Sequence, residues 1–226
     1  MFDKVMELLR SNSTFFAEVP KAKTAKIVRS IIDIVSKAPE SLDLQVALCK
    51  EVVEWCNREK RTFLRQRIES KLSALLVEQG AYQEALTLIN RLLRELKKLD
   101  DKQMLVEAHL TESRLHHALA NIPKSKAALT AARTAANAIY VSPMTQGELD
   151  EMSGIVHCEE EDYGTAYSYF LEGFEAFDQS SDPRAVHVLK YMMLSKVLQG
   201  HAEEVPSITA GKWGLKYAGA QLEAMA

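Results

Sequence analysis

The chain has 226 residues, 47% of them hydrophobic and 26% charged, with a formal net charge of -3. This composition can bury a core, which excludes a disordered or fibrous chain, and the charge gives no general attraction for nucleic acid. An odd number of cysteines, three, makes no disulfide framework, and neither an 18-residue apolar run nor a signal-peptide core after Met1-Phe2-Asp3-Lys4 is present, so an intracellular chain is expected.

In chain order, the first forty residues are the least regular, punctuated by Val19-Pro20 and Ala38-Pro39, and residues 1–19 form an irregular or divergent start. Asn12-Ser13-Thr14 matches a glycosylation sequon with nothing else pointing to secretion. Ile27, Ile31, Ile34 and Val35 make an apolar stripe at helical spacing, as do Leu48, Val52, Trp55 and Cys56. The pattern continues through Leu64, Ile68, Leu72, Leu75 and Leu76, then Leu86, Ile89, Leu93 and Leu96 after a turn at Gly80. Asp100-Asp101 marks a break before a helix near Gln103. Ser142-Pro143 and Asp182-Pro183 each place an N-cap residue before a proline suited to the first helical turn. About eleven helices are expected, with no period-2 strand.

One frame recurs at about forty residues. Its clearest copy is Gly80-Ala81-Tyr82-Gln83-Glu84-Ala85, and it returns at Glu161-Asp162-Tyr163-Gly164-Thr165-Ala166. A degenerate copy lies at Asn121 to Ala127 and a weaker one at Gly200 to Val205. Ala85, Ala127, Ala166 and Val205 are therefore the expected close-approach positions. Such a repeat means stacked helical hairpins, each burying its apolar face on its neighbours. The expected fold is all-α, a right-handed α-solenoid of tetratricopeptide-like hairpins forming one domain over 1–226.

Signals for catalysis are absent: no Gly-rich phosphate loop, no G-x-S-x-G and no H-E-x-x-H occurs. Cys49 and Cys56 share a helix face and read as core thiols. His116-His117 and His157-Cys158 are metal-ligand types, but helical neighbours point about 100° apart and cannot chelate together. No cofactor, metal or catalytic residue is expected, and a binding module or scaffold is.

Charge distribution says more than net charge. From Thr134 to Pro183 there is no lysine or arginine, whereas Glu148, Asp150, Glu151, Glu159, Glu160, Glu161, Asp162, Glu172, Glu175, Asp178 and Asp182 all fall there. Upstream, Arg58, Lys60, Arg61, Arg65, Arg67 and Lys71 crowd two helices. The expected partner-facing residues are Glu159, Glu160, Glu161 and Asp162 on the acidic side and Arg58, Arg61 and Arg65 on the basic side. The alternative is a solvated polar face on each helix.

Several blocks carry a resemblance. They are Pro20 to Arg29, Glu59 to Arg67, Leu92 to Lys102, Ala127 to Tyr140, Thr165 to Phe170 and Lys216-Tyr217-Ala218-Gly219. Together they resemble the subunit 11 family of the 26S proteasome lid, a PCI family, from about Phe15 to the end. Met1 to Thr14 carries no such likeness. The resemblance implies an α-solenoid preceding a PCI winged helix, the latter expected to be absent from this chain. It further implies a non-catalytic part of the regulatory particle in cytoplasm and nucleus, with no nucleic acid or membrane partner. Its partners would be other lid subunits, the ATPase base and the core-particle α-ring, braced together for ubiquitin-dependent degradation. A COP9-signalosome PCI subunit and a general tetratricopeptide-like adaptor remain as alternatives. Trp213, Leu215 and Tyr217 near the end are expected to be exposed and to favour self-association.

Overall fold

A computed structural model describes residues 21–36, 42–217 and 219, and all regular structure among them is helical. The sequon, the Val19-Pro20 and Ala38-Pro39 breaks and the irregular start lie outside the described residues. The chain divides into two compact units, Met1–Asp100 and Asp101–Ala226, meeting at the Asp100-Asp101 break seen in the sequence.

The first unit holds α1 (Lys21–Ser36), α2 (Leu42–Arg58), α3 (Thr62–Glu78) and α4 (Tyr82–Leu99), each packed on the next. Its core joins Leu48, Cys49, Val52 and Cys56 of α2 to Leu64, Ile68, Leu72 and Leu76 of α3 and to Ala85, Ile89, Leu93 and Leu96 of α4. The expected stripe on α1 is displaced. Val28 and Ile32 are 1% exposed, whereas Ile34 is 69% exposed, because the face one residue along is the one that meets α2.

The second unit holds α5 (Lys102–Ala118), α6 (Ile122–Asn137), α7 (Pro143–Glu159), α8 (Tyr163–Gln179) and α9 (Arg184–Leu198). A 3-10 turn (Ala202–Glu204) and the short α10 (Val205–Ala210) and α11 (Lys212–Lys216) follow. Asp101, Asn121, Ser142 and Asp162 cap α5, α6, α7 and α8, each side chain accepting a backbone N–H two or three residues into the helix. Asp182 accepts the Arg184 N–H at 2.8 Å and so caps α9 across the proline. Phe170, Phe174 and Phe177 of α8 pack with Val188, Leu189, Met192 and Met193 of α9. Trp213 and Tyr217 close that core instead of lying free. Both rings meet Phe174 edge-on, and the Tyr217 hydroxyl donates to Asp178, leaving Leu215 as the exposed apolar residue of the three.

One turn recurs. Lys60, Gly80, Ala120, Glu161, Ser181 and Gly200 have positive φ, most of them about twenty residues apart. At each, the left-handed residue bonds back to the third carbonyl before it and its successor to the fifth, closing a Schellman motif. Four residues into the next helix a small side chain then meets another small one twelve residues earlier. Ser113 and Ser125 make such a pair, and Ser73 with Ala85 and Gly154 with Ala166 are buried at the same spacing. Ser125, not the exposed Ala127, is thus the close-approach residue of its hairpin, and the Ser113 and Ser125 hydroxyls each donate to the other's backbone carbonyl at 2.9 Å. Val205 keeps its expected place, 2% exposed.

Candidate interaction surfaces

Two of these turns carry the charges that the sequence singles out. In the first unit, α2 ends at Arg58, Lys60 takes the left-handed position at φ 53° and α3 begins at Thr62. Arg58, Lys60 and Arg67 are exposed, with no ion pair among the described residues. Phe63 is 75% exposed, one helical turn from Arg67 on the same face. An aromatic ring so exposed, with cations around it, is the anchor composition of a protein interface.

The other two expected cations are held inward. Arg61 lies over the Trp55 ring at 4.7 Å. Arg65, 15% exposed at its side chain, reaches Glu69 at 3.1 Å and Glu95 at 2.5 Å. The Glu69 side chain is fully buried and also accepts Arg91 at 2.8 Å, while the Gln66 amide donates to Glu95 at 3.1 Å. The hydrogen bond from Arg65 holds the Glu95 carboxyl below the usual carboxylate range. Of the three expected basic contacts only Arg58 therefore faces outward. The sequence reading missed Phe63; its off-phase position against the Leu64, Ile68 and Leu72 stripe is the signal that finds it.

The acidic turn is built alike and used differently. Glu159 meets His117 Nε2 at 3.0 Å, and Glu160 meets Lys126 Nζ at 2.7 Å. Asp162 caps α8 and lies 3.3 Å from His157 Nδ1. Bonds from Thr165 keep its carboxyl below the usual range. Glu161 occupies the left-handed position at φ 62°. The remaining acidic run is largely paired too: Glu148 with Arg184 at 2.7 Å, Asp150 with Arg133 at 3.0 Å, Asp182 with Arg184 at 3.0 Å and Asp178 with Lys216. Glu161, Glu172 and Glu175 are its exposed carboxylates without an ion pair among the described residues.

Cys49 and Cys56 lie in the first core, where burial pushes both thiols up to about 11. Among the described residues no helix is long and apolar enough to cross a membrane, and no three metal-ligand side chains converge.

Residues 1–79 match the family of the 26S proteasome regulatory subunit RPN6 N-terminal domain, and this match includes Met1 to Thr14, outside the blocks that carry the resemblance. The 26S proteasome non-ATPase regulatory subunit 11 homolog of Arabidopsis thaliana is 56% identical across 99% of this chain and 53% of that protein. The probable regulatory subunit rpn6 of Schizosaccharomyces pombe is 47% identical across 97% and 52%, and RPN6 of Saccharomyces cerevisiae 45% across 93% and 50%. The chain thus spans about half the length of the curated relatives it matches. The crystal structure of BtubC (BKLC) from P. vanneervenii aligns over 82% of this chain and 80% of its own, with a TM-score of 0.63 at 16% identity, a likeness of fold alone. Hairpin stacking is shared with that distant structure, but identity at this level along nearly the whole chain is not a property of hairpins in general. Residues 1–79 thus match the RPN6 N-terminal domain family, and along nearly its whole length the chain is similar to RPN6, or non-ATPase subunit 11, of the 26S proteasome.

Proposed function

We propose that the chain is the helical scaffold of a proteasome lid subunit, a non-catalytic brace that ties lid, ATPase base and core-particle α-ring together for assembly and ubiquitin-dependent degradation. The observation that carries this reading is the 56% identity along 99% of the chain with a 26S regulatory subunit. Hairpins stacked through small residues are stiff, and stiffness lets a brace transmit position. The contact surface assigned to it is the turn bearing Phe63, Arg58, Lys60 and Arg67, whose unpaired cations fit an acidic partner face. Glu159, Glu160, Glu161 and Asp162 form a weaker second candidate, because three of the four already have partners of their own. The work is done in cytoplasm and nucleus and needs no cofactor.

The test is binding of the purified chain to isolated core particle and to ATPase base at low and moderate salt. Binding that weakens with salt, and that Phe63→Asp reduces about tenfold without lowering the Tm, is the expected result. A folded, monodisperse chain that binds neither particle would sink the reading.

A further inference from the structure

A second surface of the first unit lies between helices and not at a turn. Between α2 and α4, above α3, runs a groove of about 310 Å³ lined by Lys50, Val53, Glu54, Leu72, Glu84, Thr87, Leu88 and Arg91. Val53, Leu72 and Leu88 give it an apolar floor. Its charged lining is balanced: Lys50 pairs with Glu84 at 2.8 Å, and Arg91 and Glu54 add one charge of each sign. Beyond Arg91 the balance ends. Arg94 and Lys98 follow it three and seven residues on, which puts all three on one stripe of α4. Arg94 and Lys98 are exposed, with no ion pair among the described residues. Arg94 donates only to the Asn90 carbonyl of its own helix, at 3.2 Å. Arg91 is held by the buried Glu69 at 2.8 Å and Glu95 by Arg65, so Arg94 and Lys98 are the cations this face leaves over.

We propose that this groove receives an amphipathic helix of a partner protein, its apolar side on Val53, Leu72 and Leu88 and its acidic end against Arg94 and Lys98. From Glu84 to Lys98 α4 runs roughly 21 Å at 1.5 Å per residue, about four helical turns, of which Glu84 to Arg91 line the groove and Arg94 and Lys98 lie beyond its end. The apolar floor supplies the affinity, and the one-ended charge sets the direction of the bound helix.

The proposal rests on the scaffold reading, and its test separates the two. The probe is a fluorescein-labelled synthetic helix of about four turns, with a leucine stripe and glutamates concentrated at one end, titrated with the full chain and followed by anisotropy. Controls are a scrambled peptide of the same composition and one with lysine for every glutamate. The stripe-and-acid peptide is expected to bind at least about tenfold more tightly than either control. Replacing Arg94 and Lys98 by glutamate, or plugging the groove with Thr87→Trp, removes that advantage while circular dichroism and Tm stay at parental values. Equal binding of the scrambled peptide, no binding of the acidic one, or indifference to both variants overturns the proposal. A chain that binds proteasome particles but not the probe refutes the groove alone, and the reverse refutes the scaffold alone.

Discussion

The basic turn at residues 58–63 and the acidic turn at 159–163 share a backbone and differ in what surrounds them. Both are Schellman closures with a non-glycine residue in the left-handed region, Lys60 at φ 53° and Glu161 at φ 62°. In the acidic turn Glu159, Glu160 and Asp162 find His117, Lys126 and His157, all within the second unit. In the basic turn the inward positions take the internal partners, so Arg65 is consumed by Glu69 and Glu95 while Arg58, Lys60 and Arg67 stay free around Phe63. Clustered charge of one sign is thus no measure of a docking surface. What counts is the charge left over after neighbouring helices have been satisfied.

The largest test of this contrast is Arg65→Ala against Arg58→Ala. Removing Arg65 leaves the fully buried Glu69 beside Glu95 with only Arg91 near it, and should cost about 3 kcal/mol in urea unfolding. Arg58→Ala should stay within about 0.5 kcal/mol, since its side chain is exposed and has no ion pair among the described residues. Equal effects would mean that Arg65 is not the internal tie described here.

Next in size is the packing behind the acidic turn. A Cβ on Gly154 would come within 2.5 Å of the Phe170 ring, which is 1% exposed and has no room to swing away. Gly154→Ala should lose about 1–3 kcal/mol by overpacking, and a parental Tm would show that the α7–α8 hairpin is looser than its geometry.

A smaller pair of changes isolates the shared backbone from the unshared charge. Lys60→Gly and Glu161→Gly should each stabilise by about 1 kcal/mol, because glycine bears no Cβ penalty at positive φ. Only Lys60→Gly should also weaken salt-sensitive binding to proteasome particles. If Glu161→Gly weakened it equally, the two turns would be equivalent after all.

The smallest effect is in acid. Asp162 and Glu95 have folded-state carboxyls below the ordinary range, the first through bonds from Thr165 and the second through Arg65. Each therefore stabilises the fold above the unfolded carboxylate pKa of about 4, and that contribution disappears as pH falls through the lowered folded value. Arg65→Ala should flatten the acid limb of a stability profile and Arg58→Ala should not. A parallel shift in both variants would contradict the assignment for Glu95.

Helical periodicity is local, and the sequence by itself determined whatever depends on it. The stripes on α3 and α4, the Ser142 cap, the break at Asp100-Asp101 and the hairpin around Gly80 can all be read because their causes lie within a few residues. The family likeness was legible too, in long ordered blocks. The turns at Lys60, Ala120, Glu161 and Ser181 were harder to read, because the spacing of packed helices imposes left-handed backbone on residues with no preference for it. Tertiary structure alone chose Ser125 over Ala127 and displaced the α1 stripe, since a register is settled by the facing helix. It also divided the charges into spent and available. Arg65 finds Glu95 thirty residues away, Lys126 finds Glu160 thirty-four away and His117 finds Glu159 forty-two away. No local pattern encodes such pairs, because they exist only once hairpins have stacked and brought their outer turns together.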